Sequence, residues 1–496
     1  MKILIVTSGI SYYHASMGDS DSYLNAKANR VPDQLAHLAA ALSEEGVNVH
    51  VVTPNYRRII HGETDSLIDE DLRVYRKGGI PDERIHLVND QHFVYQRDSQ
   101  TGNLNDNAFI SFALQREVLG EIIPKVKPDL IHCSDWLTGL IPAATRKKKI
   151  PCLLTLHNMH TYEATLSDIE KSGLTVKDFW QHLYFKRMPK NYGDATINNA
   201  VELLASAIFG AHFIHTGSKT FLQEIVTGRN NFIPGHIVSE ITNKKHAECT
   251  AGIHIPLNPE CGPQSVEHKY DARDPLPGKR ANKKKLQSYC GLDQMDSAPL
   301  FFWPSRLDAQ QKGCHLLTDI LYEIIDRFWK DNLQIVVIAN GIYKRHFEDI
   351  VRMHSLSRRV AVRAFAEDLS RLAYAASDFL LVPSLFDPCG FTAMTGLIYG
   401  SLPVAHDTGG LHDTLKPLRV DHNDGNGFLF QVHHAQGLRS AIEQAMHFYR
   451  LPVEKKAQNI SRIMQESQKT FRKDGVAGKY IDLYKNMLDR PLLNTF

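Results

Sequence analysis

The chain has 496 residues, more than a single hydrophobic core usually supports, so two domains of roughly 200–250 residues each are expected. A hydrophobic fraction of 43% and a charged fraction of 23% are typical of globular proteins, and a formal net charge of +2 favours neither nucleic acid nor an acidic membrane as a partner. The apolar start is too short for a signal peptide, and no stretch approaches the ~20 apolar residues of a membrane span.

The seven cysteines are scattered along the chain, with no C-x-x-C pair. They are Cys133, Cys152, Cys249, Cys261, Cys290, Cys314 and Cys389. An odd, unclustered set argues against both a disulfide framework and a zinc site. It predicts a reducing compartment, and we expect the protein in the cytoplasm.

In the first half of the chain, strand-like apolar runs alternate with helical patterns. The predicted strands are residues 3–6, 47–52, 130–132, 153–156 and 213–215. Between the first two, Val31, Leu35, Leu38 and Leu42 recur at helical spacing before Gly46. This alternation predicts a doubly wound α/β domain.

A second alternating series follows a stretch rich in proline and glycine, which places the interdomain linker near residues 257–277. Its predicted strands are residues 300–303, 335–338, 360–362, 379–382 and 402–405. The last segment, 477–488, has a helical pattern that Pro491 ends. No G-x-G-x-x-G follows the first strand of either series, which disfavours a dinucleotide-dependent dehydrogenase.

The most informative stretch is 379–414, in which two strand-to-helix turns follow one another. Pro383 ends the first strand and a turn with Asp387 and Gly390 comes next, whereas the second strand leads into Thr408-Gly409-Gly410. Such turns lie side by side at the carboxyl edge of a parallel sheet, where α/β folds bind ligands. The paired glycines would let main-chain N–H groups approach an anion. An ordinary βαβ unit with structural glycines is the alternative.

This stretch resembles the sugar-nucleotide-binding segment of bacterial glycogen synthases and plant starch synthases, P-S-x-F-E-P-C-G-L followed by T-G-G-L-x-D-T. Two further blocks agree in the same order: Leu156-His157-Asn158, and Ser305-Arg306-Leu307-Asp308 with Gln311-Lys312-Gly313. The resemblance covers nearly the whole chain. It implies the GT-B architecture, with two Rossmann-like domains facing across a cleft. Residues 1–262 would form the acceptor side, 263–476 the sugar-nucleotide side, and 477–496 a helix returning to the first domain.

The resemblance also implies the activity: a retaining glycosyltransferase that moves glucose from ADP- or UDP-glucose to the non-reducing end of an α-1,4-glucan. The departing diphosphate needs fixed positive charge, and Arg306 and Lys312 follow a predicted strand. In the family these positions hold the diphosphate, so no metal and no other cofactor is expected. His157 is implied to contact the donor sugar; a structural histidine is its alternative. A metal site of His157, His160 and Glu163 is disfavoured, since no pattern confirms a helix there.

The predicted catalytic set is therefore His157, Arg306, Lys312 and Asp387. The predicted substrate-binding residues are Lys27, Asp33, Asp135, Trp136, Asn158, Phe365, Cys389, Gly390, Thr408, Gly409 and Gly410. The family segment H-x-D-W implies that Asp135 and Trp136 contact sugar hydroxyls, and Phe365 stands where the family has a tyrosine that stacks on the base. A core tryptophan and a core phenylalanine are the alternatives.

Two departures from the family pattern bear on activity. Asp387 stands in place of the family's glutamate, which the resemblance implies binds the hydroxyls of the donor sugar, and its side chain is shorter by one methylene. In the first loop Lys27 and Asp33 match K-T-G-G-L-x-D-V, but Asn29 and Arg30 replace its glycines, and the extra segment 12–25 could be an acceptor lid or a solvated loop. These departures keep two alternatives open: a related transferase for another sugar or acceptor, and a binding protein with impaired chemistry.

Two basic runs, 146–149 and 279–285, remain outside these motifs. Each is predicted to be a solvated loop or helix face rather than a polyanion site.

Overall fold

The structure is a computed structural model that describes residues 1–8, 31–55, 64–93, 104–196, 198–258, 262–308, 311–471 and 473–490. These residues form two compact units. Unit 1 contains the described residues up to Pro256 and those from Lys473 onward, and unit 2 contains those of 257–472.

Unit 1 is built on a parallel sheet of seven strands in the order β3-β2-β1-β4-β5-β8-β9. Its strands are β1 (Lys2–Val6), β2 (Asn48–Pro54), β3 (Ile85–Val88), β4 (Leu130–Ser134), β5 (Cys152–Leu156), β8 (Phe213–Thr216) and β9 (Thr250–Gly252), and β6 (Glu163–Ala164) pairs separately with β7 (Val201–Glu202). Its first helices are α1 (Val31–Glu44), α2 (Thr64–Lys77), α3 (Leu104–Glu117), α4 (Ile123–Val126), α5 (Ile141–Lys147), α6 (Leu166–Lys171), α7 (Tyr192–Thr196), α8 (Leu203–Gly210), α9 (Lys219–Val226) and α10 (Gly235–His246).

Unit 2 repeats this plan with six parallel strands in the order β12-β11-β10-β13-β14-β15. The strands are β10 (Leu300–Trp303), β11 (Gln334–Ile338), β12 (Val360–Arg363), β13 (Phe379–Val382), β14 (Leu402–His406) and β15 (Phe428–Phe430). The helices are α11 (Pro275–Cys290), α12 (Cys314–Arg327), α13 (Lys344–Met353), α14 (Glu367–Ala376), α15 (Phe391–Ile398), α16 (Gly409–Thr414), α17 (Ala435–Tyr449) and α18 (Val453–Thr470). Every residue of β10, β11, β13 and β14 is buried, which explains their continuous apolar runs.

The last helix, α19 (Lys473–Asp489), returns to unit 1. Its residues Tyr480 and Tyr484 are completely buried. The hydroxyl of Tyr484 lies 2.9 Å from His132 Nδ1 on β4, and that of Tyr480 lies 3.2 Å from His215 Nε2 on β8. The end of the chain thus forms part of the core of the unit that contains its beginning.

The two parallel sheets confirm the predicted fold class, and all ten predicted strands are present. Three short strands at the sheet edges, β3, β9 and β15, were not predicted. The linker prediction extended too far, because Pro275 and Pro277 with Gly278 form the first turn of α11. Proline is tolerated in the first turn of a helix, where its missing N–H has no intrahelical partner anyway. No helix among the described residues is long and apolar enough to cross a membrane.

Candidate functional site

In unit 2 the candidate site begins where the strand order reverses, between β10 and β13. The described parts of the loops that follow these two strands, 304–308 with 311–313 and 383–390, lie next to each other at the carboxyl edge of the sheet. Open α/β sheets bind their ligands at such a switch point. Arg306 and Lys312 lie in the first loop and Asp387 in the second, so the topology brings three of the predicted catalytic residues to one place.

Lys312 is held by its own loop and faces Asp387. Oδ1 of Asp308 accepts the main-chain N–H groups of Gln311 at 2.6 Å and of Lys312 at 3.1 Å, which fixes the turn. Gly313 has a φ of +70°, and a Cβ there would lie 2.1 Å from the Pro383 carbonyl oxygen, so the contact between the two loops requires glycine. Nζ of Lys312 then lies 3.4 Å from Oδ2 of Asp387.

Gln311 joins Arg306 to the second loop. Its side-chain oxygen accepts a hydrogen bond from Arg306 Nη2 at 3.2 Å, and its main-chain carbonyl accepts the N–H of Leu385 at 2.7 Å. Nη2 of Arg306 also lies 3.9 Å from Oδ2 of Asp308. Sequence analysis gave Gln311 no role, and its position beside Lys312 in the Gln-Lys-Gly motif was the signal that could have found it.

Asp387 uses both carboxylate oxygens within the protein. Oδ1 accepts the N–H groups of Gly390 at 2.7 Å and Cys389 at 3.2 Å, which closes the turn before α15. Oδ2 faces Lys312. The short aspartate side chain can reach these N–H groups because they lie only two and three residues further along the chain.

Gly390 and Gly410 allow the two strand-to-helix turns to touch. Gly390 has a φ of +75°, and a Cβ there would lie 2.6 Å from the Gly410 carbonyl oxygen. A Cβ on Gly410 would lie 2.2 Å from the Cys389 carbonyl carbon. The N–H of Gly410 donates to the Asp387 carbonyl at 2.7 Å. Sequence analysis predicted that this N–H group approaches an anion. In the structure it instead donates the hydrogen bond that joins the two turns.

The remaining predicted residues of unit 2 lie at the same edge of the sheet. Thr408 is buried and precedes α16, and Gly409 is the first residue of that helix, with a φ of +48°.

Phe365 follows β12 and is half-buried, so it is not the core residue that the alternative supposed. Its N–H donates to Oδ1 of Asn340 at 3.1 Å, while the Asn340 carbonyl accepts the N–H of Leu307 at 2.9 Å. Asn340 therefore connects the base-stacking candidate to the loop after β10.

In unit 1 three predicted residues form one hydrogen-bonded group. Asp135 follows β4, and the strand order of the sheet reverses between β4 and its neighbour β1. The φ of Asp135 is +52°. Its Oδ1 accepts the main-chain N–H groups of His157 at 2.8 Å and Asn158 at 3.3 Å, and its Oδ2 accepts Nδ2 of Asn158 at 3.1 Å. Burial raises the pKa of Asp135 to about 7, against the opposing effect of the two main-chain N–H groups. The Asp135 carboxyl group thus positions the predicted catalytic histidine.

His157 is neutral and keeps one ring nitrogen unused. Burial, assisted by nearby His215, lowers the pKa of His157 to about 3. Its Nε2 is buried and has no hydrogen-bond partner among the residues that the structure describes. Because an unpaired buried polar atom is costly, this nitrogen is a candidate to contact a ligand.

The histidine-based metal site is not formed. Glu163 pairs with Lys186 at 2.6 Å, and the segment from His157 to it is not helical. Over the described ranges, no group of three or more His, Cys, Asp or Glu side chains could hold a metal ion.

Trp136 is completely buried, and its ring stacks on Tyr162 with centroids 5.7 Å apart. The structure favours the alternative, a core tryptophan, over a residue that stacks on sugar.

Lys27 lies outside the described residues, as do the Asn29-Arg30 pair and the segment 12–25. The backbone of Asp33 belongs to the first turn of α1, but its side chain lies outside the description.

Comparison with known proteins places this geometry in a family. Residues 21–235 match the family model of the starch synthase catalytic domain, and residues 298–447 match that of the glycosyl transferases group 1. The glycogen synthase of Moorella thermoacetica is 29% identical over 94% of this chain and 95% of its own, and that of Clostridium botulinum (strain Eklund 17B) is 27% identical over 94% and 98%. Both halves of the chain are thus similar to glycogen and starch synthases.

These similarities identify the chain as a glycosyltransferase, as sequence analysis predicted. The catalytic domain of starch synthase IV from Arabidopsis thaliana, solved with ADP and acarbose, matches this chain with a TM-score of 0.76 at 23% identity over 99% of both chains. That likeness confirms the predicted GT-B class.

Proposed function

We propose that this glycosyltransferase moves glucose from ADP- or UDP-glucose to the non-reducing end of an α-1,4-glucan, with retention of configuration. The observation that carries the proposal is the arrangement at the switch point of unit 2, where Lys312 faces Asp387 and Gln311 links Arg306 to the loop that contains Asp387. Glycogen synthases among the relatives and the ADP and acarbose held by starch synthase IV support this donor and acceptor.

The two basic residues suit the departing diphosphate. A guanidinium group binds two phosphate oxygens at once, whereas an ammonium group acts as a compact point charge. Both stabilise charge that develops as the sugar–oxygen bond breaks. With this charge supplied by the chain, the proposed reaction needs no metal ion.

His157 has a proposed role toward the donor sugar. Its neutral ring and its main chain, fixed by Asp135, provide polar groups without adding positive charge. A loss of turnover in His157→Ala with unchanged donor affinity would support that role, and unchanged turnover would contradict it.

The contacts of Asp387 favour a second candidate: a transferase of the same family that uses another sugar or acceptor, or one with impaired chemistry. The family's glutamate extends one methylene further, whereas this carboxylate is bound by Cys389 and Gly390 and faces Lys312. A displacement of about 1 Å in a catalytic group can cost about a hundredfold in rate.

The cytoplasm is the proposed location. Six of the cysteines lie in the described part of the chain, and all six are free thiols with buried side chains. This state suits a reducing compartment.

A donor panel tests the proposal. Thermal unfolding is measured with ADP-glucose, UDP-glucose and nucleotides carrying other sugars, and nucleotide release is then followed with glycogen as acceptor. Stabilisation by a glucose donor, with glycogen-dependent release that persists in chelator, would support the first candidate. Binding without glucose transfer would favour the second. The transferase proposal fails if every donor leaves the unfolding temperature unchanged.

A further inference from the structure

The basic run 279–285, predicted to be solvated, contains two buried cations. Lys279 and Lys283 lie on the inner face of α11, and their side chains are almost completely buried. Nζ of Lys283 donates to Oδ2 of Asp378 at 2.6 Å and to the Ala298 carbonyl at 2.9 Å. Nζ of Lys279 donates to three oxygens, among them the Tyr399 carbonyl at 3.0 Å. Lysines are rarely buried this deeply, which makes their surroundings of interest.

Both lysines line a cavity of about 320 Å³ within unit 2. Asp378 and Phe379 place it at the amino end of β13, whereas Lys312 and Asp387 lie beyond the carboxyl ends of the strands. The cavity is therefore on the opposite edge of the sheet from the candidate donor site. Part of its wall is apolar: Leu276, Phe379, Phe448, Val453 and Ile460.

The charges around this cavity are unbalanced. Four basic side chains line it, Lys279, Arg280, Lys283 and Lys456, against two carboxylates, Asp296 and Asp378. Asp378 is already neutralised by Lys283. Burial lowers the pKa of Lys279 to about 7, and it also lowers the pKa of Lys456. The negative charge of Asp378 opposes both shifts without cancelling them. An anion in the cavity would stabilise the charged forms of these lysines.

Two of the basic groups have hydrogen-bonding capacity left for a ligand. Arg280 lies at the exposed mouth and makes no hydrogen bond or ion pair with any residue that the structure describes. Nζ of Lys456 donates to the Tyr449 carbonyl at 2.8 Å and lies 4.4 Å from the centre of that tyrosine ring, which leaves two of its N–H groups. A guanidinium fork and an ammonium group over an aromatic ring suit a phosphate group with an organic part.

We propose that this cavity, at the amino ends of β10 and β13, binds a small phosphate-bearing anion separately from the donor. Arg280 and Lys456 bind the phosphate, and the apolar wall packs against the organic part. The site does not depend on which sugar or acceptor the enzyme uses.

Titration calorimetry of the full chain with phenyl phosphate and with inorganic phosphate tests this site. We expect phenyl phosphate to bind at millimolar concentration or below, and more tightly than inorganic phosphate because of the apolar wall. Equal binding of the two would support the site and assign it to free phosphate. Arg280→Ala and Lys456→Ala should each weaken binding about tenfold or more, since each removes a charge-assisted hydrogen bond.

Two control variants distinguish this cavity from other phosphate sites. Lys284→Ala removes an exposed cation from the same helix, and Lys312→Ala removes one from the candidate donor site; both should leave the affinity for phenyl phosphate unchanged. No binding at millimolar concentration would overturn the proposal. So would unchanged affinity in both Arg280→Ala and Lys456→Ala, or loss of binding in Lys312→Ala.

Discussion

The ammonium group of Lys312 lies 3.4 Å from Oδ2 of Asp387, and the two side chains are only 13% and 8% exposed. This pair joins the residue proposed to bind the diphosphate to the residue proposed to bind the sugar. Because each limits where the other can lie, a change in either should affect both functions.

Replacing Lys312 by alanine should reduce kcat by two to three orders of magnitude, because a lost donor to a developing anion costs about 3–4 kcal/mol. The fold should survive, since Asp387 still accepts two main-chain N–H groups. Steady-state kinetics and thermal unfolding measure the two effects. Lys284→Ala, which removes an exposed lysine, is the matched control and should keep normal turnover. A folded Lys312→Ala enzyme with normal turnover would contradict the assignment.

Asp387→Glu tests why the carboxylate is short. If glucose is the donor sugar, the longer side chain should maintain or raise turnover with the glucose donor, at the loss of the hydrogen bonds that close the turn before α15, about 1 kcal/mol of stability for each. If the pocket suits another sugar, the extra methylene overpacks it, which costs roughly 1–3 kcal/mol, and turnover with the true donor falls. Asp387→Asn is the control, because it keeps an oxygen for the turn before α15 but removes the charge facing Lys312, and it should reduce turnover with any donor.

Gly410→Ala should destabilise the protein and weaken donor binding together. Its Cβ would lie 2.2 Å from the Cys389 carbonyl carbon, so the turns after β13 and β14 must move apart. Gly478→Ala is the matched control: a Cβ on that residue of α19 meets nothing within 4 Å, and alanine should stabilise the helix by about 1 kcal/mol. Chemical unfolding and donor titration measure both variants. Equal effects of the two changes would show that the contact between the turns is unimportant.

The sequence predicts the central strands because burial on both faces leaves continuous apolar runs. It does not predict β9 or β15, because three-residue strands at a sheet edge carry too short a pattern. Pro275 and Pro277 look like a linker in sequence, since the same residues favour loops and first turns of helices alike.

For the site, motifs locate the residues but not their contacts. The Asp387 motif gives no sign that its Oδ1 closes the turn before α15, and the Gly410 motif does not reveal that its N–H already donates to the Asp387 carbonyl. Trp136 has the same sequence signal whether it stacks on a sugar or on Tyr162. Such distinctions depend on the packing of residues far apart in the chain, as does the burial of Lys279 and Lys283 within a basic run.

Buried histidines should make the protein sensitive to acid. His157 has a pKa of about 3 and His215 of about 4, and burial also lowers that of His132. In the unfolded chain a histidine has a pKa of about 6.5, so below that pH the unfolded state binds more protons. The contribution of each buried histidine is complete above about pH 6.5 and falls toward pH 4 by about 1.4 kcal/mol per pH unit. Asp135, whose pKa is raised to about 7, offsets one such contribution over this range, so the three histidines together should still make the protein less stable in acid.

Denaturant unfolding at several pH values between 7.5 and 4 measures this dependence. His157→Asn should reduce the slope by the contribution of one proton. Equal stability at pH 7.5 and pH 5 would contradict the prediction.

The return of α19 to unit 1 has a consequence for how the chain is made. A ribosome completes unit 2 before it synthesises Tyr480 and Tyr484, so the hydroxyl partners of His132 and His215 arrive last. The usual order, in which the N-terminal domain folds first, is therefore reversed for the final packing of unit 1. The described residues of unit 2 all lie within 257–472, so this stretch should be expressible on its own, whereas a fragment ending at Pro256 lacks part of its own core. Joining residues 473–496 to that fragment by a short linker should restore its cooperative unfolding.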